Sequence, residues 1–250
     1  MTYWAIQRII GASAVAAWIA FAALPILYSQ FSSVASASSS PYVCQIVVDS
    51  LTGGGTSAAL AFGLTAASGL IMAVAMMAPA SLPAVRFVAT NSLKNMRVLS
   101  TTLFLSSYLS VWVVFAVVVA AAGAAAATYL PVGAIGIEAL PIVLLMAAVW
   151  QVTPMKRIAM RACHYGPMLP VTGRRAIAAY VGFGLRYGIS CLGSCWLLML
   201  AMYTARESVL FWMLIVSGVI WAERMLPRRP ALYRTTGLGL GVFAFAALAI

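Results

Sequence analysis

The 250-residue chain is 64% hydrophobic and only 8% charged, with a mean hydropathy of +1.03. An ordinary soluble domain carries about 25% charged residues, so this composition excludes a water-soluble globule and points to an integral membrane protein. The net charge of +11 does not call for nucleic acid, because the basic residues cluster between apolar runs, where they orient loops toward an anionic membrane face.

Apolar runs on the scale of about 20 residues predict membrane spans at Ile9–Leu27, Ala58–Ala78, Leu99–Ala122, Ala139–Val152, Gly182–Tyr203, Val209–Ala222 and Thr235–Ile250. The expected fold is all-α, a polytopic transmembrane bundle of about seven helices in a single domain over residues 1–250. With the N-terminus inside, the segments Arg86–Arg97, Lys156–Arg175 and Arg224–Arg234 all face the cytoplasm. Of the 15 basic residues, only Arg186 and Arg206 then lie elsewhere, so the positive-inside rule selects N-in and C-out.

The first run is longer than a signal-peptide core, and the small-residue stretch Ala35-Ser36-Ala37 lies well past its end, so a retained helix is expected. Residues 29–57, rich in Ser, Ala and Gly and containing Cys44, read as an external loop. Residues 156–181 read as a basic cytoplasmic loop with an interfacial segment, since Ala176–Phe183 would make the fifth helix too long for a bilayer. The short last run begins with Gly237, Gly239 and Gly241. It is either a span packed closely on a neighbour or an interfacial tail after six helices.

Cysteine usage does not describe a disulfide framework. Cys44 is expected outside, Cys163 in the cytoplasm, and Cys191 and Cys195 within the bilayer. Side chains four apart on a helix point the same way, a poor match to disulfide geometry, so reduced thiols are expected. Cys191, Cys195 and Met199 form one stripe, continued by Met202. Met72 and Met76 are also four apart in the second helix, and Trp150 and Gln151 fall at the same depth in the fourth. Such soft ligands suit Cu(I), and thiolates also suit zinc. The alternative is that these residues are ordinary core filler. His164 beside Cys163 is either a further ligand or a surface histidine.

The stretch WQVTPMK, Trp150 to Lys156, places an amide and a hydroxyl before Pro154. Because proline lacks the N–H of a normal helical bond, this is either a polar kink lining a cavity or a helix stop with an aromatic anchor. Lys156 and Glu223 are expected to meet at the inner ends of their helices, the alternatives for Glu223 being Arg224, Arg228 or water. No Ser/His/Asp set, zinc-protease motif or phosphate-cradling glycine loop is present, and acidic residues number only 4. Acid/base catalysis in the core is therefore not expected.

Taken in order, AVAMMAPASLP (Ala73 to Pro83), WQVTPMKRIAMRACHYGP (Trp150 to Pro167), GISCLGSCWLLML (Gly188 to Leu200) and WAER (Trp221 to Arg224) resemble an uncharacterised bacterial family of predicted metal-binding integral membrane proteins. The likeness runs from about Ala58 to Arg224. It matches at Met76, Met77, Pro79, Trp150, Gln151, Thr153, Pro154, Lys156, Cys163, Cys191, Cys195, Trp196, Met199 and Glu223. The chain departs from the family pattern where Ala159 and Ser194 stand in place of cysteines.

The resemblance implies a multi-pass protein of the bacterial inner (cytoplasmic) membrane that binds or handles a soft metal ion. Copper(I) is expected first and zinc second, held by Cys191, Cys195, Met199, Met72 and Met76, with Cys163 and His164 as the other candidates. Trp150, Gln151, Thr153, Lys156 and Glu223 would orient the site and restrict water. The second functional class is a non-catalytic accessory or assembly subunit, packing on other membrane subunits through small-residue helix faces. The expected partners are the lipid bilayer and such subunits, without nucleic acid.

Overall fold

Proline decides where this chain bends. In the computed structural model, which describes residues 3–31, 58–129, 139–163, 166–167, 169–170, 173–204, 209–226 and 230–249, the described residues form nine helices and no strand. They are α1 (Tyr3–Phe31), α2 (Ala58–Ala80), α3 (Leu82–Asn91), α4 (Arg97–Tyr129), α5 (Ala139–Val152), α6 (Pro154–Cys163), α7 (Arg174–Thr204), α8 (Val209–Met225) and α9 (Pro230–Ala249). Each of the expected apolar runs overlaps one of α1, α2, α4, α5, α7, α8 and α9.

Two helices are long and apolar enough to cross a membrane, within Arg97–Val119 and Arg174–Met202. Two further candidates are bent pairs, Leu70–Ala80 with Leu82–Asn91 at 68° and Leu140–Val152 with Pro154–Cys163 at 71°. The described residues therefore carry two to four candidate spans, fewer than the expected seven.

Two local expectations are corrected. Ala176–Phe183 is not a separate lead-in: α7 runs unbroken for 31 residues, because nothing in that segment removes a backbone donor. The basic segment after Thr153 is not simply a loop, since Pro154 starts the ten-residue helix α6 with its fixed φ at a position needing no N–H. Of the expected external loop, residues 32–57 lie outside the described residues, and with them Cys44.

Each bend shows where the orphaned backbone groups go. Pro79 cannot donate to the Ala75 carbonyl four residues back, and Trp18 Nε1 of α1 donates to that oxygen instead at 3.1 Å. At the α2/α3 break, Ser81 Oγ donates to Ala78 O at 2.8 Å. Pro154 likewise frees the Trp150 carbonyl, which accepts from Thr153 N at 3.1 Å and Thr153 Oγ1 at 2.8 Å. The hydroxyl before each turn satisfies the backbone that the turn exposes.

Helix α7 is the hub, packing against α4, α5, α6 and α8, while α4 also packs on α2 and α9 packs on α5. The α4/α7 approach depends on Gly184 and Gly188. A Cβ on Gly184 would sit 2.5 Å from the Phe104 carbonyl and collide with Ser107 Oγ, and one on Gly188 would sit 2.9 Å from Val111 Cγ2. This is the small-residue spacing that lets helices approach closely. The expected close approach of the last helix occurs at Gly237, where a Cβ would lie 3.2 Å from Ala148 O. Large apolar side chains, among them Ile19, Val114, Ile189, Leu214, Leu238, Val242 and Phe245, cover the outside.

Gly184→Ala should therefore destabilise the purified protein by about 1–3 kcal/mol, the usual cost of overpacking, read as a lower unfolding midpoint. Gly239→Ala, where a Cβ meets open space, should be neutral or stabilising by up to about 1 kcal/mol. Equal effects at the two positions would contradict the α4/α7 packing described.

Candidate metal centre

The C-terminal end of α8 buries two adjacent charges, Glu223 and Arg224. Successive residues on a helix point about 100° apart, so the two serve different neighbours. Glu223 Oε2 lies 2.7 Å from Lys156 Nζ, both side chains fully enclosed. Lys156 Nζ also donates to Gln151 Oε1, and Thr236 Oγ1 of α9 donates to Glu223 Oε1 at 3.4 Å. The expected Lys156–Glu223 ion pair thus forms, with both side chains buried. The 71° turn between α5 and α6 places Lys156 where it meets both Gln151 before the turn and Glu223 on α8.

Arg224 serves the sulfur side. Its Nη1 donates to Tyr187 OH at 2.7 Å and its Nη2 to Cys163 Sγ at 3.8 Å, and its charge acts on Cys191. Tyr187, Cys191, Cys195 and Met199 follow one another at four-residue spacing on α7, and all are buried. Cys191 is 0% and Cys195 2% exposed, so the expected sulfur stripe faces the interior. Both thiols are reduced, as is Cys163. Cys195 Sγ donates to the Cys191 carbonyl at 3.1 Å, and Ser194 Oγ donates to the same oxygen at 2.7 Å.

A phenol links the backbone of α2 to this region. Tyr108 OH of α4 donates to the Met77 carbonyl at 3.2 Å and meets Cys191 Sγ at 3.4 Å. Met72, Met76 and Met77 are buried in the same core cluster as the cysteines. Trp150 Nε1 donates to the Gly193 carbonyl at 3.2 Å, and its ring meets Trp196 edge-on, which ties α5 to the turn of α7 between the two cysteines. Thr153 is spent on the bend itself. His164 lies outside the described residues.

Cys163 occupies a different position from the other two thiols. It is 8% exposed and lines a partly open cavity of about 150 Å³ together with Ala80, Pro83, Ala84, Phe183 and Arg224. Arg224 thus extends from this cavity to the interior cysteine. Among the described residues, no group of three or more His, Cys, Asp or Glu side chains is placed to hold a metal ion. Two thiols one turn apart are chemically suited to a soft monovalent ion and fall short of the four ligands typical of structural zinc.

Arg224, Tyr187 and Tyr108 were not singled out from sequence as site residues. The signal available was Glu223-Arg224 itself, two charges in succession at the end of an apolar helix. Tyr187 lies one turn before Cys191 on the same stripe, whereas nothing local in α4 marks Tyr108.

A family model described as PpoB2, copper chaperone, matches residues 66–247, from within α2 to the end of α9. No curated protein and no solved structure matches the chain.

Removing one member of a buried ion pair strands the other charge and costs about 3–5 kcal/mol. Glu223→Leu and Lys156→Met should each lower the unfolding midpoint steeply, while the two together should recover most of the loss. A double-mutant cycle measures this directly, and additive single effects would contradict a coupled interior pair.

Proposed function

The chain belongs to the PpoB2 copper chaperone family, and on that premise we propose that it is a multi-pass protein of the bacterial inner membrane that holds Cu(I) between the thiolates of Cys191 and Cys195. One observation carries this reading: two reduced thiols one helical turn apart, fully enclosed, beside a buried guanidinium. Two thiolates around Cu(I) leave one net negative charge, and Arg224 stands where it offsets that charge. Loading releases the two thiol protons, so occupancy rises with pH.

Met199, one turn beyond Cys195, and Met72 and Met76 on α2 are the thioethers that complete the coordination. Gln151 and Glu223 hold Lys156, and Trp150 fixes the turn of α7 that separates the two thiols. Copper is cargo in this scheme, and no bond-making chemistry beyond ligand exchange is required of the protein. Zinc fits the donor set less well. The apolar outer surface supports the membrane setting, and the basic segments between helices support the N-in orientation with seven spans.

Purified protein titrated with Cu(I) against a chromophoric chelator should bind copper stoichiometrically. Cys191→Ser and Cys195→Ser should each weaken binding by more than the roughly 100-fold that loss of an outer hydrogen-bonding partner can cost, and Arg224→Met by about 10–100-fold. Wild-type affinity in both serine variants would refute the site. For the orientation, a membrane-impermeant thiol reagent should label Cys44 in intact cells. Labelling of Cys44 only after permeabilisation would reverse the topology.

A further inference from the structure

Among the described residues, Cys163 is the thiol that the holding site does not use, and it lines a cavity. The cavity is walled by Ala80, Pro83, Ala84, Phe87 and Phe183, with the Cys163 thiol, the Tyr187 ring and the Arg224 guanidinium as its polar features. About 150 Å³ admits the tip of a side chain or a few waters, each taking roughly 30 Å³ of liquid. Exposure falls from 8% at Cys163 to 2% at Cys195 and 0% at Cys191, and the Arg224 guanidinium donates on one side to Cys163 Sγ and on the other to Tyr187 OH, one turn before Cys191 on α7. The arrangement is therefore graded: a thiol at a cavity, a cation behind it, and an enclosed thiol pair behind the cation.

We propose that this cavity is a copper exchange port, in which Cys163 accepts Cu(I) from an incoming thiolate donor and passes it to Cys191 and Cys195. The proposal rests on the copper-holding role given to that pair. In the first step Cys163 loses its proton to water and its sulfur bonds to copper as a donor Cu–S bond breaks, the departing thiolate taking up a proton. In the second, Cys191 and Cys195 each lose a proton to water and displace Cys163 and the remaining donor thiolate from copper, and each departing sulfur takes up a proton. Copper remains Cu(I) throughout, and no electron acceptor is needed. Arg224 offsets thiolate charge on both sides of the transfer, and the apolar walls favour an uncharged approach over free hydrated ions. Delivery is the same path reversed.

The port predicts a split between rate and endpoint. Purified full-length protein is mixed with Cu(I) held by N-acetylcysteine, or with a copper-loaded Cys-x-x-Cys peptide, and protein-bound copper is followed after rapid desalting. Cys163→Ser should slow loading at least tenfold while reaching the wild-type endpoint. Ala84→Phe, which fills the cavity with Cys163 intact, should slow it similarly, with unchanged helical content checking that both variants fold. A Cys163 dependence with the small thiol alone assigns the port to diffusible thiols, one with the peptide alone assigns it to a protein cysteine, and either supports the port. Wild-type loading rates in both variants with both donors, or a lost endpoint in Cys163→Ser, would overturn it. Failure of the wild-type protein to load at all would instead remove the holding site.

Discussion

Burying Glu223 and Arg224 side by side at the end of an apolar helix is the constraint that organises the interior. A charge withdrawn from water must find a counter-charge and hydrogen-bond partners, because the desolvation cost otherwise exceeds what packing returns. Glu223 obtains Lys156, but only because the chain turns at Thr153 and places α6 against the core. Arg224 obtains Tyr187 and Cys163, the first only because α7 crosses α4 closely enough, at Gly184 and Gly188, to carry its tyrosine and cysteine stripe inward. The bend, the glycine crossing and the sulfur cluster are consequences of one electrostatic demand.

That demand also separates the interior into two zones. The Lys156, Glu223 and Gln151 group is internally neutral and fixes the relation of α5, α6, α8 and α9. The Arg224 zone has a cation facing phenols and thiols, groups that are neutral unless ionised. Binding of a soft monovalent ion by two thiolates brings that zone to neutrality, whereas a divalent ion between the same two thiolates forms a neutral unit and leaves the guanidinium charge without an offset. Electrostatics and ligand softness therefore favour the same cargo.

Much of this was legible in the sequence. Hydropathy located the helices, since each apolar run overlaps one, and the α5 boundaries coincide with the run Ala139–Val152. The four-residue spacing of Cys191, Cys195 and Met199 correctly implied one buried face, and the Lys156–Glu223 pair was foreseeable from helix ends of opposite charge. What was not legible depends on three-dimensional partners. Hydropathy does not reveal that Ala176–Phe183 continues α7, because helix continuity is set by backbone bonding and not by bilayer thickness. Nor does spacing reveal that Tyr108, 83 residues from Cys191 in sequence, closes the sulfur cluster, or that Arg224 turns away from Glu223 toward Tyr187.

The division of labour proposed for the thiols rests on their depth. Enclosed thiols hold cargo securely but exchange it slowly, and a more accessible thiol exchanges readily but holds less securely. A bundle that places both kinds around one guanidinium reconciles retention with transfer. The central claim, that copper sits on the α7 sulfurs, is tested most directly by X-ray absorption at the copper edge of the loaded protein. An all-sulfur shell that loses a sulfur scatterer in Cys195→Ser is the predicted result; a shell of nitrogen or oxygen ligands, unchanged in that variant, would contradict it.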